Sequence, residues 1–230
     1  MNYSRYVALI SPYIVKIKTQ TQFGTGFVFW QNDEFCCIGT ASHVIEPAVQ
    51  PGWEQPIVVS QQQGISLRIY PEHRIVFSNL DEGDSAAVII RKSGLNLPCE
   101  CLPLMDTKEI VPIGHVVHWI GFPTIISEEA KHRPSFFSGV ISNYFAESKE
   151  YVIDGVAIHG TSGGPVFYRG GKAGKIRILG SISSYKVNRV RSTSGTEYYP
   201  GLAFAHSFSA FDPLVDGLDR LDAVRCVDAP

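Results

Sequence analysis

Gly160-Thr161-Ser162-Gly163-Gly164-Pro165 is the stretch from which the rest of the chain can be read. It sets a serine among glycines. A serine hydroxyl is a weak nucleophile at its free pKa unless a base adjoins it and a third group orients that base. Two upstream segments offer those groups: Thr40-Ala41-Ser42-His43-Val44 carries a histidine, and Asp84-Ser85-Ala86-Ala87-Val88-Ile89-Ile90 opens on an aspartate. The order along the chain is therefore His, Asp, Ser. The glycines have a separate use, because charge developing on a carbonyl oxygen under attack is held by fixed backbone N–H donors. Loops that aim such donors often need conformations closed to residues with a Cβ.

Two competing assignments fall away on the residues themselves. Gly160-Thr161-Ser162-Gly163-Gly164 also fits the Gly-x-Ser-x-Gly turn of the α/β-hydrolases, which needs an acid and then a histidine after the serine. Between Ser162 and His206 the one acid is Glu197, and no strand–turn–long helix pattern surrounds the serine. Asp81 lies three residues before Asp84, but with Glu82 it reads as a solvated charge in a polar loop, whereas Asp84 leads directly into an apolar run.

Together these segments resemble the trypsin/chymotrypsin-fold serine peptidases, especially HtrA-like and other bacterial or viral members, from roughly Gly24 to Phe204. The resemblance implies an all-β fold of two six-stranded antiparallel Greek-key β-barrels, chymotrypsin-like, with a short C-terminal helix. Residues 1–105 would form the first barrel, with His43 and Asp84. Residues 106–230 would form the second, with Ser162 and a helix at about 213–225. In the roles this implies, Ser162 attacks, His43 shuttles the proton, and Asp84 holds His43 in the right tautomer. The amides of Gly160 and Ser162 form the oxyanion hole. Gly24-Thr25-Gly26-Phe27 looks like the family's Gly-x-Gly-Phe strand, where glycine lets two backbones approach closely. Phe35 to Thr40 reads as the next strand, and Ala41 to Glu46 as the turn presenting His43.

Zymogen-activated relatives carry an acid just before the nucleophile, which pairs with a new N-terminus. Thr161 holds that place here, and the chain starts Met1-Asn2-Tyr3 with no Ile-Val-Gly-Gly-type segment, so activity without proteolytic activation is expected. Aligning on the serine puts Val156 near the base of the specificity pocket, where an aspartate would select Arg or Lys. Ser183, Ser184 and Tyr185 would line the cleft, and Ala203, in an HtrA-type strand Gly201-Leu202-Ala203-Phe204-Ala205, would form the pocket wall. An apolar pocket for a small or medium aliphatic residue follows. His159 and His206 are alternatives for reading an acidic or amide side chain; a rim histidine and a structural one are the plainer assignments.

Composition narrows the class further. With 230 residues, 44% hydrophobic, the chain can bury a large core and matches a two-barrel protein with little left over. A net charge of −2 gives no electrostatic footprint for nucleic acid, and the cluster Lys186, Arg189, Arg191 reads as a solvated hairpin. No N-terminal apolar run suffices for a signal peptide or membrane helix, since Ser11, Pro12 and Lys16 interrupt Tyr6 to Ile17. Five cysteines, with Cys36 and Cys37 adjacent and Val44 beside His43 where secreted relatives have a disulfide cysteine, favour a reducing, cytoplasmic setting. Cys99, Cys101, His115 and His118 are poorly spaced for zinc, so neither a metal nor a cofactor is expected. The expected partner is a protein or peptide substrate, with an activating protein as an additional option. The rival functions are a protease-fold binding module without catalysis, which Tyr185 invites by filling the cleft, and an effector protease for one substrate.

Strand-like runs occur at Tyr13–Lys18, Phe23–Trp30, Ile57–Ser60, Ser66–Tyr70, Val116–Gly121, Phe136–Tyr144 and Ile176–Ser183. Asp212-Pro213 is a helix start, after which Leu214, Leu218 and Leu221 recur at a spacing that would dock the helix on a barrel. Gln61-Gln62-Gln63 reads as a loop.

Overall fold

β-branched and aromatic runs punctuated by Gly, Pro and Asn become strands here, because such side chains pack well on a pleated, half-buried surface. In a computed structural model they form two antiparallel sheets. The structure describes residues 3–62, 64–78, 83–92, 94–106, 108–125, 133–170, 175–192 and 195–227. Asp81 and Glu82 lie outside them, as do the side chains of Arg189, Arg191 and Glu197.

The first sheet has seven strands: β1 (Ile14–Lys18), β2 (Phe23–Gln31), β3 (Phe35–Thr40), β4 (Ile57–Gln61), β5 (Ser66–Ile69), β6 (Arg74–Ser78) and β7 (Ala86–Arg91). Their order is β5-β4-β1-β2-β3-β7-β6, an open half-barrel rather than the six-stranded closed one expected. The second sheet is a closed six-stranded barrel of β8 (Val116–Gly121), β9 (Ser135–Phe145), β10 (Glu150–Asp154), β11 (Pro165–Gly170), β12 (Lys175–Ser192) and β13 (Gly195–Ser207), in the order β10-β13-β12-β11-β8-β9. This is the chymotrypsin-like architecture.

Among the described residues three α-helices accompany the sheets: α1 (Ser4–Ile10), α2 (Ser42–Val49) and α3 (Asp212–Val227). α2 replaces the expected turn after β3 and continues past Pro47, buried on Val44, Ile45 and Ala48. α1 has seven residues, too few to persist alone. It is held by Ile10, fully buried, and by the Tyr3 ring, which meets His118 of β8 edge-on at 4.9 Å. That aromatic site, with Phe136 stacked on His118 at 5.2 Å, is where His118 sits; Cys99 and Cys101 are exposed.

The apolar core spans both sheets. Phe27, Ile38 and Val88 of the first sheet share one cluster with Ile120, Phe167 and Ile178 of the second, while Trp119, Tyr151, Val166 and Ala203 fill the closed barrel. The C-terminal segment adds Phe208 to the first cluster, 1% exposed and within 5.1–5.4 Å of the Phe27 and Phe29 rings. In α3, Leu214 and Leu218 pack on this core, but Leu221 is 66% exposed. The helix is held by polar ties as well, the Trp30 indole donating to Asp219 at 2.6 Å and Asn32 to Asp222 at 2.9 Å. Gln61 belongs to β4 and is buried, its amide donating to the carbonyls of Pro12 and Asn96 and its oxygen accepting from Asn96 N–H, so the glutamine run does not read as a simple loop.

Removing the Phe208 ring leaves a cavity in this core. Phe208→Ala is expected to lower unfolding stability by about 3–5 kcal/mol. Urea denaturation measures it, and a loss under about 1 kcal/mol would show that the C-terminal segment is not part of the core.

Candidate active site

His43 is the second residue of α2, and Asp84 stands two residues before β7; β3 and β7 pair through Thr40 and Ala86, which brings the two segments side by side. Asp84 grips the histidine twice. Its Oδ1 accepts from the His43 backbone N–H at 2.9 Å, and its Oδ2 lies 2.6 Å from His43 Nδ1. An ionised carboxylate only accepts, so the proton sits on Nδ1 and Nε2 is left as the basic nitrogen. Neighbouring residues strengthen the arrangement: the Ser42 hydroxyl donates to the Ser85 carbonyl at 2.6 Å, and Ser78 donates to Ser42 at 2.9 Å. Thus the residue before His43 is tied to the residue after Asp84.

Ser183, on β12, connects this pair to the serine. Its hydroxyl donates to Asp84 Oδ2 at 2.8 Å, and its carbonyl accepts from Ser162 Oγ at 3.4 Å. The side chain is buried against the aspartate, so it is the backbone of Ser183 that faces Ser162. Among the described residues no hydrogen bond joins Ser162 to His43. Burial would raise the Asp84 carboxyl, but the hydrogen bonds and charge of His43 and the Ser183 hydroxyl outweigh it and hold it below the ordinary aspartate value.

The loop around Ser162 is defined by where its backbone groups go. Thr161 N–H donates to Ile158 at 2.9 Å, Gly163 N–H to Ile182 at 2.6 Å and Gly164 N–H to Thr161 at 2.9 Å. The carbonyls of Gly160 and Ser162 accept from Thr25, from its hydroxyl and its N–H, both at 2.8 Å. Two N–H groups of the run 160–164 remain without a partner among the described residues, those of Gly160 and Ser162. Gly160 has φ +94° and Gly163 φ +81°, a region L side chains rarely enter. A Cβ on Gly160 would also stand 2.2 Å from the Phe122 carbonyl, and one on Gly163 2.1 Å from that of Thr25. Thr161 is fully buried, its hydroxyl donating to Ile158 at 2.7 Å.

The remaining residues of interest scatter. Tyr185 faces Ala203 across β12 and β13, packs against the barrel core, and accepts from Gly201 N–H at its hydroxyl, 2.8 Å away. Ala203 is fully buried, Ser184 half-buried, and Val156 49% exposed. His159 is exposed, its ring edge-on to Phe23 at 5.4 Å. His206 lies 3.4 Å from Glu150 with its Nδ1 enclosed and its ring against Gly83. Sequence reading missed the Ser183–Asp84 bond and the role of Thr25, since both join residues far apart in the chain.

The family profile of the trypsin-like peptidase domain matches residues 24–173. The chain belongs to that family, the trypsin-like peptidases, and has their chymotrypsin/trypsin fold. Among solved structures it is similar to the Rv3671c protein of M. tuberculosis H37Rv, an inactive form with serine replaced by alanine. The identity is 17%, covering 94% of this chain and 90% of that one, with a TM-score of 0.55. A second structure, of the Rv3671c protease in an inactive form, has 19% identity, 86% coverage of each chain and a TM-score of 0.51. At these identities the likeness is one of fold. No curated protein sequence matches the chain.

The depressed Asp84 carboxyl makes a signed prediction. A carboxylate held below its unfolded value contributes stability that is complete above that value, 3.8, and is lost as pH falls through the lower folded value. The gap in denaturation midpoint between wild type and Asp84→Asn is therefore expected to be constant near neutrality and to narrow below pH 3.8. A gap that widens on acidification would contradict the assignment.

Proposed function

We propose that the protein is a serine endopeptidase in which Ser162, His43 and Asp84 act together. Ser162 Oγ attacks the scissile carbonyl while His43 Nε2 takes its proton. The tetrahedral oxyanion is received by the N–H groups of Gly160 and Ser162. His43 then protonates the departing amine, leaving an acyl-enzyme on Ser162, which water hydrolyses by the same steps in reverse roles. The observation that carries this reading is Ser183, which touches Asp84 with its hydroxyl and Ser162 with its carbonyl.

The neutral, fully buried Thr161 turn supports constitutive activity, since no ion pair is needed to order the loop. The unpaired cysteines Cys36, Cys37, Cys99 and Cys101 support a reducing, cytoplasmic compartment. The Ser162 hydroxyl bonded to the Ser183 carbonyl rather than to His43 favours a second reading, a protease-fold binding module or an effector protease that a partner switches on.

Labelling by a fluorophosphonate probe separates these. Wild type is expected to label at Ser162; Ser162→Ala should not, and His43→Ala should lose on the order of 10⁶-fold in rate. A wild type that never labels would favour the binding-module reading.

The apolar side chains of Val156 and Ala203, at the positions the resemblance assigns to the pocket base and wall, support an apolar pocket of modest size. Cleavage of a peptide library is expected to show small or medium aliphatic residues before the scissile bond. A clear preference for Arg, Lys or Glu would overturn it.

A further inference from the structure

The 159–160 peptide decides whether the serine loop can receive negative charge. In a trans peptide the C=O and N–H point in opposite directions, so fixing one fixes the other. The His159 carbonyl is held twice by a single residue: Thr124 donates its N–H to it at 2.9 Å and its hydroxyl at 3.2 Å. Thr124 follows Pro123, whose ring restricts the backbone leading out of β8, and the Phe122 carbonyl of the same segment stands behind Gly160. Residues 122–124 therefore brace the far side of the loop, while Thr25 holds the next carbonyl, that of Gly160, at 2.8 Å.

Sterics at Gly160 do not choose the orientation of this peptide, because glycine visits either sign of φ at little cost. What chooses it is the partner of the His159 carbonyl. Rotated the other way, that carbonyl would place its negative end where the Gly160 N–H now has no protein acceptor. We infer that Thr124 is a positioning residue of the oxyanion hole: its amide and hydroxyl keep the His159 carbonyl turned outward and so keep the Gly160 N–H turned toward Ser162. This rests on the reading of Ser162 as the nucleophile. The hydroxyl half of the grip belongs to the side chain, so it can be removed while the amide half stays.

The test compares fluorophosphonate inactivation of wild type, Thr124→Val and Thr124→Ser, with melting temperatures measured alongside. Valine keeps the shape of threonine without its hydroxyl. Its maximal inactivation rate is expected to fall roughly 2- to 10-fold, the range one net hydrogen bond spans. The half-saturating probe concentration should not change, because the interaction acts through the charge that forms in the transition state. Serine should restore the wild-type rate, and all three should fold, melting within about 5 °C of one another. A valine variant as fast as wild type, or one slowed through probe binding alone, overturns the inference.

If wild type itself does not react, the peptidase reading fails, and crystal structures of wild type and Thr124→Val then decide the positioning role separately. The expected result is a His159 carbonyl turned outward in wild type and rotated, or divided between two orientations, in the valine variant. An unchanged peptide in the variant overturns it.

Discussion

Thr25 is the knot on which the site depends. It is fully buried on β2, and its polar groups bind three other segments. Its hydroxyl donates to Gly160 and accepts from Phe122 N–H at 3.0 Å, its N–H donates to Ser162, and its carbonyl accepts from the Thr40 hydroxyl at 2.7 Å. Thus one residue joins the serine loop, the end of β8, and the end of β3 just ahead of His43. Each buried partner it leaves unpaired would cost about 1–3 kcal/mol, so the set is held in one arrangement. The flanking glycines make the approach possible. A Cβ on Gly24 would lie 2.8 Å from the Ser162 carbonyl, and one on Gly121 2.9 Å from the Thr161 Cα.

This knot matters because the proposed catalytic residues are divided between the sheets. His43 and Asp84 are carried by the segments flanking β3 and β7, whereas Ser162 lies between β10 and β11. A rigid pair on one side and a rigid loop on the other would still be idle if the two sides slid. Thr25 fixes the loop to the first sheet, and Ser183 carries a second tie from β12 to Asp84. The shared apolar cluster supplies cohesion, but burial is non-directional; the hydrogen bonds supply register.

Most of the fold was legible because it rests on local signals. The apolar runs at β3 and β8 match their strands residue for residue, and α3 begins at Asp212-Pro213, with Asp212 already helical (φ −58°, ψ −43°). β6 escaped because it is a half-exposed edge strand, with Ile75 and Phe77 facing solvent, and so shows no buried face to read. α2 stands where the resemblance implied a short turn, and it continues through Pro47, a residue that ordinarily argues against a helix interior. In the site, His43, Asp84 and Ser162, the residues proposed to carry the chemistry, stood out by motif. The supports did not: Thr25 and Gly160 are 135 residues apart, and Ser183 and Asp84 are 99 apart, distances at which no periodicity or cap speaks. Likewise nothing local marks Gln61 as a buried clasp between Pro12 and Asn96.

Thr161 shows how such a loop can be ordered without charge. An acid in this fully buried position would have to be stripped of water, a penalty of several kcal/mol that only a well-placed cation offsets. Relatives that supply the cation by cleavage gain a switch from that debt. Threonine incurs none: its hydroxyl donates to the Ile158 carbonyl and accepts from the Ile158 N–H at 3.3 Å, closing a neutral turn within four residues. The ordering is therefore local and independent of any titrating group in the turn. Control, if the protein has it, must then act on groups the turn leaves free, and the peptide just before it, between His159 and Gly160, is the one whose orientation is set from outside.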